Sequence, residues 1–144
     1  MTGDNFMRAA QVLSIYDGDT FTAMVDLGYS QWCKTNIRML GLDTPEMRKY
    51  KGRQEKPWGT LSRKHLVGLI KQNPKGKLGR KLWIRSVKPD KFGGRYLGEA
   101  FFWDDPEGTT INQMMIDDKF ARPYDGTKKT LYPLDSLPIQ PESD

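Results

Sequence analysis

Cysteine and histidine are almost missing from this 144-residue chain, which has one of each, Cys33 and His65. A single cysteine excludes a disulfide framework and a cysteine-based zinc site. Cys33 lies in a strand-like run and is expected as a small buried apolar group. His65, near the apolar side of a helical segment, reads as structural rather than catalytic. No run approaches the ~18 apolar residues of a membrane span. The opening Met-Thr-Gly-Asp-Asn-Phe lacks a basic segment followed by an apolar core. These absences predict no membrane partner and no secretion signal, hence a cytoplasmic protein or one packaged without classical export. Acids are outnumbered, 18 Asp and Glu against 23 Lys and Arg, for a net charge of +5. That balance favours a polyanion such as nucleic acid, although a lysine-biased surface accounts for it equally.

Apolar residues make up 37% of the chain, including four Trp, six Tyr and six Phe, enough for one modest core. Residues 8–16 read as a first strand, and Asp17-Gly18 is a hairpin signal. The next run alternates, with Phe21, Ala23, Val25 and Leu27 on one face. Gly28-Tyr29-Ser30 turns the chain into a third strand over 31–40. There Cys33, Thr35, Ile37 and Met39 share a face and Arg38 points the other way. Residues 47–56 hold five basic residues and one acid with no visible period, and read as a mobile loop. A helix is predicted over 57–72, with Pro57 in its first turn and Trp58, Leu61, Leu66, Leu69 and Ile70 at helical spacing. A fourth strand follows over Leu78–Val87 and a fifth over Arg95–Trp103. Thr110 and Gln113 have capping-box spacing and open a short helix reaching about Phe120. Four of the nine prolines fall in the last 22 residues. We therefore divide the chain into a domain over 1–125 and an extended Pro-rich tail over 126–144, which wraps the domain or docks to a larger assembly. Five short strands, one helix after the third and one after the fifth describe a mainly β, α+β barrel.

The chemistry centres on Arg38-Met-Leu-Gly-Leu-Asp43-Thr44-Pro-Glu46. A strand entering a core needs neither an arginine at one end nor two carboxylates at the other. Read singly, each piece is bland: Asp17-Gly18-Asp19-Thr20 is a turn, Thr44 a cap, and Arg38 and Arg95 exposed strand charges. As a set they change meaning. Two arginines and three acids at strand ends can converge at the mouth of a small barrel. Hard carboxylate oxygens select Ca²⁺ or Mg²⁺, and planar guanidinium groups match paired phosphate oxygens.

Four ordered blocks also resemble the thermonuclease, or staphylococcal-nuclease-like, family, in particular its short bacterial and phage-encoded members. They are Tyr16–Thr20, Ile37–Glu46, Asp90–Gly98 and Ile111–Gln113 continuing to Phe120–Tyr124. The resemblance implies a five-stranded OB-fold barrel and a Ca²⁺-dependent, sequence-nonspecific nuclease. Such an enzyme hydrolyses DNA and RNA, single-stranded or locally opened, and leaves 3′-phosphate ends. It implies Asp19, Asp43 and the Thr44 carbonyl as metal ligands, Glu46 as the group that orients or deprotonates water, and Arg38 and Arg95 as phosphate-gripping residues. Arg48, Lys49, Lys91 and Tyr124 are the expected substrate contacts, and a monomer is the expected state. Phe92 stands where the family commonly has tyrosine, and an additional glycine precedes Arg95. The alternative is a noncatalytic nucleic-acid- or protein-binding module of the same fold, such as a structural part of a phage particle.

Overall fold

The computed structural model describes residues 6–90 and 93–142. Strands β1 (Met7–Ile15), β2 (Thr20–Gly28) and β3 (Gln31–Met39) form an antiparallel meander. Two short strands follow, β4 (Leu42–Asp43) and β5 (Lys49–Tyr50), the latter paired with β6 (Arg53–Gln54). Helix α1 spans Lys56–Lys71, with a proline in its first turn as expected. Strands β7 (Arg80–Pro89) and β8 (Tyr96–Phe102) complete a closed barrel ordered β1-β2-β3-β8-β7. The closing β3–β8 pair is parallel. Helix α2 (Ile111–Asp117) is capped by Thr110, whose side chain accepts from the Gln113 N–H. A last short strand, β9 (Arg122–Pro123), pairs with β4. This is the mainly β, α+β barrel that the strand count predicted, of the OB type that the resemblance implied.

The alternation in β2 and β3 reads directly as burial. Phe21, Ala23, Val25, Ile37 and Met39 are all nearly inaccessible inside the barrel. Leu66, Leu69 and Ile70 of α1 and Ile111 and Met115 of α2 extend that core beyond the sheet. Each fully buried aliphatic side chain of this kind contributes on the order of 1.5–3 kcal/mol. Two expectations are corrected. Cys33 is exposed, as is Leu27, because the β2–β3 hairpin projects past the part of the sheet that has interior neighbours. The basic segment 47–56 is not a shapeless loop. It contains the β5–β6 hairpin, turned at Lys51 and Gly52, both with positive φ.

Among the described residues the tail segment has little regular structure beyond a 3₁₀ turn at Leu134–Ser136. It is nonetheless built into the protein. Tyr132 and Leu137 are buried at 3% and 4% exposure. The Tyr132 carbonyl accepts from Arg53, and the Trp58 indole N–H donates to Gln140.

Candidate active site

Arg38 leaves β3 on the face opposite Ile37 and Met39, where the strand meets the barrel mouth. Its guanidinium donates to the carbonyls of Met39 and Leu42, at 3.1 Å each, and lies 3.2 Å from Asp19 Oδ2. These bonds clamp the turn between β3 and β4 and hold the group in one orientation. Asp19 ends the β1–β2 turn. Its Oδ2 also accepts from the Thr44 N–H and hydroxyl, at 3.3 and 3.2 Å. Burial pushes the Asp19 carboxyl up, but the Arg38 charge and three side-chain hydrogen bonds outweigh it and hold the group below the usual range. Its neighbour Asp17 shows the opposite result: burial, reinforced by the Asp19 charge, raises it to about 8.

Asp43 stands on β4 at 1% exposure. Its Oδ2 accepts from Arg122 of the paired strand β9, through Nε at 3.0 Å and a second guanidinium nitrogen at 2.9 Å. Its Oδ1 is buried and accepts no hydrogen bond. The Lys129 ammonium is 3.3 Å from that oxygen and 2.5 Å from Glu46 Oε1. Burial pushes the Asp43 carboxyl up, against the pull of Lys129. Burial pulls Lys129 down, yet the hydrogen bond to Glu46 and the two carboxylate charges win, and it lies above the ordinary lysine value. Glu46 is fixed from behind, since its N–H donates to the buried Glu55 carboxylate at 2.9 Å. Glu55 in turn pairs with Arg53 at 2.7 Å.

Arg95 precedes β8 after Gly93 and Gly94, each at φ +73°, a conformation that favours glycine. The two glycines turn the chain so that the guanidinium Nε donates to Asp90. Asp19, Arg38, Glu46, Arg48, Arg95 and Tyr124 all line one cavity of about 850 Å³. Asp43 and Thr44 are buried behind its wall, joined to it through Lys129 and Asp19. Lys49 is exposed on β5 and is not part of the lining. Lys91 and Phe92 lie outside the described residues.

A hard divalent cation needs oxygen donors close together. Among the described residues no three His, Cys, Asp or Glu gather as a metal-binding group. The Asp19 and Asp43 carboxylates remain, one of their oxygens buried and without a hydrogen bond. Hard cations take such oxygens readily and complete their shells with backbone carbonyls, water and substrate. The residues fit.

The family model for staphylococcal nuclease homologues matches residues 36–135. The chain belongs to the staphylococcal nuclease homologue family. No curated protein matches it. The family match runs from Asn36 on β3 to Asp135, so it takes in the segment that carries Lys129. This nuclease homologue also uses side chains that sequence reasoning passed over, Lys129 on the cavity wall and, behind it, Arg122 on Asp43 and Glu55 on the Glu46 N–H. Lys129, Arg122 and Glu55 lie outside the strand-end charge pattern that singled out Arg38, Asp43 and Glu46. Tyr50 and Lys88, too, line the cavity. The one signal for Arg122 was its place in the Phe120–Tyr124 block, and its pairing opposite Asp43 shows what it does there. His65 stacks on Phe120, with ring centroids 4.1 Å apart, and contacts Asp118 at 2.7 Å, away from the cavity. Among the described residues no helix is long and apolar enough to cross a membrane.

Proposed function

We propose that the protein is a Ca²⁺-dependent, sequence-nonspecific nuclease that hydrolyses DNA and RNA and leaves 3′-phosphate ends. One observation carries the reading. Two guanidinium groups, Arg38 and Arg95, and the carboxylates of Asp19 and Glu46 face the same cavity, which is large enough for a nucleotide. Asp19, Asp43 and the Thr44 carbonyl would hold the cation. A bound Ca²⁺ neutralises phosphate charge and positions water.

The chain's own residues do the rest. Arg38, clamped by two carbonyls, presents its remaining donors to a phosphate without reorganising. Arg95, tied to Asp90, meets charge that grows as the phosphorus becomes five-coordinate. Glu46, held by Glu55 through its backbone, accepts the proton of the attacking water. Arg48 and Tyr124 on the cavity wall track the strand and stack its bases. A site that reads phosphate and cation carries no base code, hence the lack of sequence preference.

A noncatalytic role on the same fold draws support from the Lys129 ammonium lying against Asp43 and Glu46. One gel assay separates the two readings. Plasmid and heat-denatured DNA are incubated with Ca²⁺ or with chelator. Cleavage of both, faster on denatured DNA, absent with chelator and yielding 3′ ends that a terminal transferase extends only after phosphatase treatment, is the expected result. Intact DNA at millimolar Ca²⁺ removes the enzymatic reading.

A further inference from the structure

The Lys129 ammonium occupies the place where a cation is needed. It reaches two carboxylates at once, Glu46 Oε1 at 2.5 Å and Asp43 Oδ1 at 3.3 Å. A third group faces it, the Tyr50 ring, whose centroid is 4.9 Å away. The lysine is not a wandering surface side chain. On its N-terminal side the Tyr124 N–H bonds the Gly41 carbonyl at 2.9 Å. On its C-terminal side Arg122 holds the Thr130 carbonyl at 2.5 Å and Tyr132 is buried. The backbone strap therefore delivers the ammonium to one spot. There it offsets the buried Asp43 charge while leaving Oδ1 without a hydrogen bond. An oxygen in that condition gains most from a ligand that binds it closer and without directional demand, as a divalent cation does.

We propose that Lys129 is the resident cation of this site, and that a divalent cation binds Asp43 only by displacing it. The proposal rests on the reading of the site as a Ca²⁺ nuclease and deepens it. Ca²⁺–oxygen contacts run about 2.3–2.6 Å, so an ammonium and a calcium ion cannot share Asp43 Oδ1. The displaced lysine stays in the cavity that Arg38 and Arg95 also line. The effect is to set a threshold, because Ca²⁺ must exceed the level at which it outcompetes a tethered ammonium.

The test is calorimetric Ca²⁺ binding to the full chain and to Lys129→Met, with Lys128→Met as the control. Lys128 is exposed and carries the same charge. The expected result is Ca²⁺ affinity about 10-fold or more tighter in Lys129→Met, the scale of one charged hydrogen bond, and little changed in Lys128→Met. Equal affinity in the full chain and Lys129→Met, or equal gains in both variants, overturns the proposal while the calcium reading stands. No Ca²⁺ binding by any of the three overturns both. A second measurement needs no variant. Amine acylation with peptide mapping should label Lys129 several-fold faster when Ca²⁺ is present. A Lys129 labelling rate that Ca²⁺ leaves unchanged, in protein shown to bind it, also overturns the proposal.

Discussion

Helix α1 carries two glycines whose replacement by alanine separates helix propensity from packing. A Cβ on Gly59 would fall 2.4 Å from the Glu46 carbonyl oxygen, 2.8 Å from its carbon and 3.0 Å from the Pro45 oxygen. Ordinary contact begins at 3.4 Å, so the helix and the Pro45–Glu46 segment must part by about 1 Å. At Gly68, which is exposed, a Cβ meets nothing within 4 Å. Alanine in a helix interior gains about 0.5–1 kcal/mol over glycine, whereas overpacking costs about 1–3 kcal/mol. Gly68→Ala should therefore stabilise by about 0.5–1 kcal/mol, and Gly59→Ala should destabilise by up to about 2 kcal/mol net. On the proposed nuclease reading, the second effect is catalytic. A 1 Å misplacement of a reacting group is worth up to about 10² in rate. Turnover on heat-denatured DNA should thus fall about 100-fold in Gly59→Ala and stay unchanged in Gly68→Ala. Urea midpoints and initial cleavage rates, measured side by side, decide the matter. If Gly59→Ala matched Gly68→Ala in both, the contact between α1 and Glu46 would not be what positions the carboxylate.

The other predictions concern the site, the frame around it and its rim. Glu46→Gln and Arg95→Ala should each lower turnover by roughly 10²–10⁴ with little change in substrate affinity; near-wild-type rates in either would strip that residue of its role. Asn112→Leu strands the Ala100 N–H and the Leu40 carbonyl, bonded at 3.0 and 2.9 Å by the Asn112 side chain, and leaves the Gly98 carbonyl with the Leu40 N–H alone. It should cost on the order of 3–6 kcal/mol in guanidinium unfolding, and a loss under about 1 kcal/mol would show that the network is replaceable. Neutralising Arg48 should make nucleic-acid binding less salt-dependent by about one unit of log–log slope, and Lys49, off the cavity wall, should do less. Identical slopes before and after would make the β5–β6 hairpin an ordinary solvated surface.

The barrel was legible because period-two alternation in β2 and β3 and the Thr110–Gln113 cap are local signals. Arg38, Asp43 and Glu46 were legible for a related reason, since charge is out of place at the ends of an apolar strand. Lys129 was not. Nothing in Thr127-Lys-Lys-Thr130 tells its two lysines apart, and the tertiary bonds on either side of them, Tyr124 to Gly41 and Arg122 to Thr130, decide which one meets Asp43. Cys33 misled because alternation assigns a face but not how far a hairpin extends past the core. The β5–β6 hairpin was hidden because neither of its strands has an apolar face to reveal a period.

The parallel closure of the barrel, with Ile37 beside Tyr96, joins strands that lie on either side of α1 in the chain. That pairing also brings the Arg95 end of β8 to the Arg38 end of β3. Helix α1 needs only neighbouring residues and can form within about a microsecond, whereas long-range strand pairing of this kind takes milliseconds to seconds. Refolding chains should regain their helical circular dichroism first. Cleavage should return only with the slowest phase, so that activity times the moment the last strand docks.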